Sequence, residues 1–305
     1  MSDIPYKFNP VITPLPPITS GVNGIFVSRG GNLFSSGLFM SGAYLQNTYD
    51  MQVFSGGIVR QTEVQSGGTC VILSGGTADK TIVNYSGKFI VSSRGYASRM
   101  NVLYGGLVCV SNGGHASNLY VSAGGSLTIS SGGTCTSLCV EHANAINMSE
   151  AFIYGATVKA GMLTLDEDNH EEPQSRFSTI SAIGGQVMVS STCKVYSTYA
   201  ASGGYIEFVG GASADTTVAA SGGLVRFNVS GSGIGLGVYS GGTGIIASGA
   251  KVEQALFVFP GGSAVIQSGG TCNGGLISSG GTLLVSAGGS ANNITSAPGA
   301  VIIHG

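Results

Sequence analysis

The stretch Ser66-Gly67-Gly68-Thr69-Cys70-Val71-Ile72-Leu73-Ser74-Gly75-Gly76-Thr77-Ala78-Asp79-Lys80-Thr81-Ile82-Val83-Asn84-Tyr85-Ser86-Gly87 contains one full period of the chain and decides its fold. The second residue of each glycine punctuation falls at Gly68, Gly76 and Gly87. The same alternation of 8 and 11 runs from Gly57 through Gly95, Gly106, Gly114 and Gly125 to Gly133, so the period is 19. A period that short, with no helical pattern inside it, marks a solenoid in which each repeat is one coil stacked on the last.

The shorter segment of each period reads as a strand. In Gly105-Gly106-Leu107-Val108-Cys109-Val110 and Gly124-Gly125-Ser126-Leu127-Thr128-Ile129, apolar residues alternate with period two. The second and fourth residues after the glycine pair therefore point inward and the third points outward. Glu207 and Arg226 take that outward place one period apart, as a surface pair. The longer segment places small and β-branched residues inward, as in Ala78, Thr81 and Val83, or Ala116, Leu119 and Val121, which suit a narrow pleated surface. Glycine, serine and alanine crowd the corners because tight turns need backbone angles that a Cβ makes costly. The 52 glycines in 305 residues are not collagen, since their period is 19 rather than 3. With 43% hydrophobic residues the chain is not a disordered one either.

The run Gly75-Gly76-Thr77-Ala78-Asp79-Lys80-Thr81-Ile82-Val83 before Ser86-Gly87, echoed by Ala214-Asp215-Thr216-Thr217-Val218 before Ser221-Gly222-Gly223, resembles the AIDA-type repeat of bacterial autotransporter passenger domains. The resemblance covers about residues 55 to 305. It implies a parallel β-helix at the cell surface, used in adhesion or self-association, with Ser/Thr sites glycosylated by heptosyltransferases in some relatives. Neither a signal peptide nor a membrane barrel is evident in these 305 residues. The expected fold is all-β, a right-handed parallel β-helix of about 13 coils, with a rod length of roughly 60 Å at the usual strand spacing.

Three parts are expected. Residues 1–20 carry Pro5, Pro10, Pro14, Pro16 and Pro17 and read as an extended arm. Residues 21–54, rich in Phe and Tyr, read as cap coils that shield the first open edge. Residues 55–305 read as the β-helix, interrupted at 166–176 by an acidic insertion.

A net charge of -2 with 9% charged residues, and Lys and Arg scattered, speaks against nucleic-acid binding. No apolar run approaches the length of a membrane span. The mean hydropathy of +0.34 is nevertheless high, and apolar residues occupy outward positions at Val71, Ile90, Cys109, Ile245, Val265 and Leu284. Such a stripe calls for something packed on it, either an arm of the same chain or another molecule. The stripe is the candidate self-association surface.

The motifs call for no metal and no cofactor. Cys70, Cys135 and Cys272 fall at inward positions and read as small hydrophobes, and no spacing matches a zinc site. The four histidines have no nucleophile motif beside them, and Asp79 and Asp215 lie far apart in coil number, so a general acid/base constellation is not visible. In the insertion, Asp166, Asp168, Glu171 and Glu172 form a recognition loop or a set of oxygen ligands for Ca²⁺, against the plainer reading of a solvated loop. The functional expectation is a non-catalytic surface or extracellular adhesin-like rod whose partners are itself and a host or cell-surface receptor or glycan. The alternatives are a filament or matrix subunit that stacks end to end and a polysaccharide-processing enzyme.

Overall fold

The structure, a computed structural model, describes residues 13–14, 23–29, 32–92, 94–111, 113–129, 132–143, 146–148, 151–166, 176–190 and 193–305. It is an all-β parallel solenoid of about 13 turns with a spacing of about 19 residues between stacked strands. No helix occurs among the described residues, so none is long and apolar enough to cross a membrane. The chain divides into two compact units, one of residues 1–146 and 150–152, the other of residues 147–149 and 153–305.

In the first unit the four-residue strands Thr69–Ile72, Lys88–Val91, Leu107–Val110 and Ser126–Ile129 pair in parallel, each with the next. The longer segments form a second parallel ladder, in which Tyr96–Val102, His115–Val121 and Thr134–Ala143 follow one another. Each coil contributes one strand to each ladder, and the alternation read from the sequence is the alternation of burial. Val64, Val83, Val102, Val121 and Val140 form one inward column, every one fully buried. Burying each such side chain contributes about 1.5–3 kcal/mol.

The entry to the first unit is antiparallel. Ile25–Arg29 pairs antiparallel with Asn32–Gly37 and with Tyr49–Val53, and Thr13–Pro14 pairs antiparallel with Leu33 and Asn32. After a single parallel bridge of Asn23 to Ser55, parallel strand pairing starts where Phe39–Ser41 meets Ile58–Arg60. Apart from Thr13–Pro14, the proline-rich residues 1–20 lie outside the described residues.

The second unit repeats the two ladders. Gln186–Val189, Tyr205–Phe208, Leu224–Phe227, Thr243–Ile246, Ser263–Ile266, Thr282–Val285 and Val301–His304 stack in order. The stretched step before Gly262 has a local cause. The strand Lys251–Val258 takes a register shift against Ser232–Val238, where Gly233 pairs with Val252 but Gly235 pairs with Ala255, so one residue is bulged out. The step is also wider at the acidic insertion, where Met162 pairs with Gln186.

Candidate functional site

A solenoid offers its lateral faces, and its outward residues are set by the same parallel register that builds the core. The six stripe residues fall into two columns. Gln52, Val71, Ile90, Cys109 and Thr128 pair in sequence in the first unit. Glu207, Arg226, Ile245, Val265, Leu284 and Ile303 pair in sequence in the second. All six point outward between buried neighbours, yet each is half-buried, because stacked side chains in adjacent coils shade one another. Ile303, at the end of the second column, is 49% exposed.

Glu207 and Arg226 do face one another, with Nε 3.8 Å from Oε1, and Asn228 donates to the same carboxylate at 3.0 Å. Beside them the Tyr205 phenol is pushed up to about 12, first by burial and then by its bond to Glu207. Asp215 pairs with Lys194 at 3.0 Å, and Asp79 with Arg99, whose guanidinium holds the Asp79 carboxyl below its ordinary range. The pairs hold these carboxylates in ion pairs, Glu207 and Asp215 on different strands of one coil and Asp79 in the first unit.

Asp166 is half-buried and accepts a hydrogen bond from the Ser190 hydroxyl at 3.0 Å. Asp168, Glu171 and Glu172 lie outside the described residues. Among the described residues no three His, Cys, Asp or Glu side chains gather as a metal site. Cys70, Cys135 and Cys272 are buried in the core as free thiols. Burial drives the Cys70 thiol well up and the Cys135 thiol to about 12, which keeps both protonated and unreactive. Cys109, in the stripe, is only half-buried, and its thiol is also raised by burial.

Two features escaped the sequence reading. The first is an outward column on the longer strands of the second unit, Tyr199, Val218, Gly237, Phe257 and Leu276, in which Tyr199, Phe257 and Leu276 are exposed. Phe257 is 43% exposed, and Tyr239 stacks on Phe259 beside it with ring centroids 4.2 Å apart. The second is a polar column in the first unit, Gln61, Lys80, Arg99 and Asn118, at φ of 52°, 56°, 53° and 52°. The signal for it was present, since a polar residue stands three places before each inward valine at 64, 83, 102 and 121. What sequence alone could not reveal is that this residue is left-handed and therefore bulged outward.

The fold and its faces define a parallel β-solenoid whose surfaces for contact are columns of outward side chains. No family model matches the chain, and no curated protein matches it. Among solved structures it is similar to a crystal structure of a TibC-catalysed hyper-glycosylated fragment of TibA, with a TM-score of 0.63 and 26% identity over 88% of this chain and 97% of that one.

Proposed function

We propose that the protein is a non-catalytic, adhesin-like β-solenoid of the cell surface or exterior, associating with itself through its outward apolar columns. The observation that carries this reading is the unbroken apolar register of Ile245, Val265, Leu284 and Ile303 on one face of the second unit, in a chain similar over most of its length to the TibA fragment. A column of this kind works through many small, repeated contacts, so its strength comes from avidity. The hyper-glycosylation of the TibA fragment supports a further element of the proposal, that serines and threonines at the corners of this chain accept sugars.

The test replaces Val265 and Leu284 by Lys. Both point outward between buried neighbours, Ala264 and Ile266 on one strand and Leu283 and Val285 on the other. The expected outcome is less self-association in sedimentation velocity across a concentration series, with an unchanged circular dichroism spectrum. Association undiminished in the double variant sinks the proposed role of this column.

A further inference from the structure

The aromatic face of the second unit has a relief that fits itself. Its outward column runs Ser181, Tyr199, Val218, Gly237, Phe257 and Leu276, one residue per coil in unbroken parallel register. Tyr199, Phe257 and Leu276 stand out at 39%, 43% and 38% exposure, and Gly237 leaves a notch among them. A Cβ on Gly237 would meet Tyr239 Cε2 at 3.3 Å, with the Thr217 oxygen and Val218 Cγ2 at 3.9 Å, so no backbone crowds the notch. At the adjoining corner a second column runs Ile183, Ala201, Ala220, Tyr239, Phe259 and Ser278. Ile183 and Tyr239 project at 39% and 43% exposure, whereas the corners Ala201–Gly203 and Ala220–Gly222 carry nothing larger than serine. Neither column holds a charged residue. Apolar projections grouped in this way on a sheet mark a contact surface.

The relief selects the partner. A rotation of 180° about an axis lying in this face, along the strands, sets each column of one copy on the same column of another with the coils in reverse order. Let that axis pass midway between the strands Ser213–Ala219 and Ser232–Val238. Val218 of each copy then enters the Gly237 notch of the other, Tyr199 meets Phe257, and Leu276 meets Ser181. At the corner, Tyr239 meets the low turn Ala220–Gly222, Phe259 the low turn Ala201–Gly203, and Ile183 meets Ser278. Large faces small throughout, except where ring meets ring, an apposition that aromatic side chains favour. Moving the axis by half a coil or a whole coil in either direction sets large corner residues together: Ile183 on Phe259, or Tyr239 on itself, on Ile183 or on Phe259.

We propose that the second unit pairs with a second copy of itself across this face, the two solenoids antiparallel about that two-fold axis. The inference deepens the self-association reading and rests on it, but places the contact on the ladder of longer strands. The charges of these strands lie toward their other ends in neutral pairs, Lys194 with Asp215 at 3.0 Å and Lys251 with Glu253 at 3.3 Å, and do not oppose the approach. Six coils and about four residues of each strand make a face of roughly 24 by 13 Å. That is about 300 Å² per copy against about 800 Å² in a standard interface, so each pairing is weak and gains strength by number.

The test is sedimentation equilibrium of the full chain, with circular dichroism and melting temperature as controls for folding. Phe257→Lys, at an exposed position, should weaken dimerisation at least about tenfold with the fold unchanged. Gly237→Val alone should weaken it similarly, because its side chain meets the partner's Val218. Exchanging the two, Val218→Gly with Gly237→Val, restores a projection opposite a notch and should bring the dimer back to within about threefold of the native chain. The proposal is overturned if Phe257→Lys leaves dimerisation unchanged, or if the folded exchange variant is no better than Gly237→Val. A native chain that stays monomeric at about 0.5 mM, well above the range of weak specific contacts, overturns both this inference and the self-association reading. Loss of association in the Val265→Lys, Leu284→Lys variant but not in Phe257→Lys defeats this inference alone.

Discussion

At the corner Ala201–Gly204, Ser202 and Gly203 take φ of 52° and 80°, and the Gly204 amide donates to the Ala201 carbonyl at 2.8 Å. Two successive left-handed residues closed by that bond are the mark of a type I′ turn. The two glycines of the pair are there for different reasons. Gly203 supplies a left-handed angle, and a Cβ on it would meet nothing within 4 Å. Elsewhere Ser86 and Arg94 fill that first place at φ of 67° and 63°. Gly204 is confined by contact, since its Cβ would stand 2.0 Å from the Ala182 carbonyl oxygen of the coil before. Gly203→Ala should therefore cost about 1–2 kcal/mol, the penalty of a left-handed L-residue. Gly204→Ala should cost at least about 3 kcal/mol, beyond the ordinary run of substitutions. Urea unfolding of the two variants decides the order, and equal losses contradict the account.

Within the strands, packing couples neighbouring coils. Phe208 and Phe227 stack in the core with ring centroids 4.9 Å apart and planes at 14°. Across the coil from Phe227 the inward place is taken by Gly233, between Ala214 and Val252 in register. A Cβ on Gly233 would lie 2.6 Å from the tip of the Phe227 ring. The large residue on one strand and the missing side chain on the other are one adjustment of volume. Gly233→Ala alone should lose about 1–3 kcal/mol by overpacking. In a Phe227→Leu background the same change should cost less, with an interaction energy of about 0.5 kcal/mol or more in a double-mutant cycle. Additive losses would mean that the ring and the glycine do not share the space. The alternation that makes Phe227 inward was legible in Leu224-Val225-Arg226-Phe227; the volume exchange with Gly233 was not, because it joins two strands that only the coil geometry brings together.

Over the whole molecule, titratable groups with raised pKa set the alkaline limit. Burial holds the Cys135 thiol at about 12 against an ordinary 9.0, and partial burial together with the bond to Glu207 holds the Tyr205 phenol at about 12 against 10.0. Both native values lie above the unfolded ones, so the native state keeps its protons longer than the unfolded chain. The stability they confer is complete below about pH 9, and is lost as pH rises from there through about 12. Unfolding free energy measured across that range should fall, and Cys135→Ala should make the early part of the fall shallower. A thiol reagent at about pH 8 should label Cys135 only as the chain unfolds. An unchanged slope in the variant removes Cys135 from the account.

The period of 19, the two strands per coil and the inward and outward places follow from sequence alone, because a stacked coil repeats the same steric demands at each turn. The outward direction of Val71, Ile90, Cys109, Ile245, Val265 and Leu284 was legible in the same way. Their half-burial was not, since shading depends on the neighbour above and below. The tertiary structure alone decided the fate of the threonines. Thr62 and Thr81 repeat at the same interval as Thr198 and Thr217, yet only the second pair bonds, at 3.2 Å. Spacing places a hydroxyl in a column, whereas its partner depends on side-chain rotation.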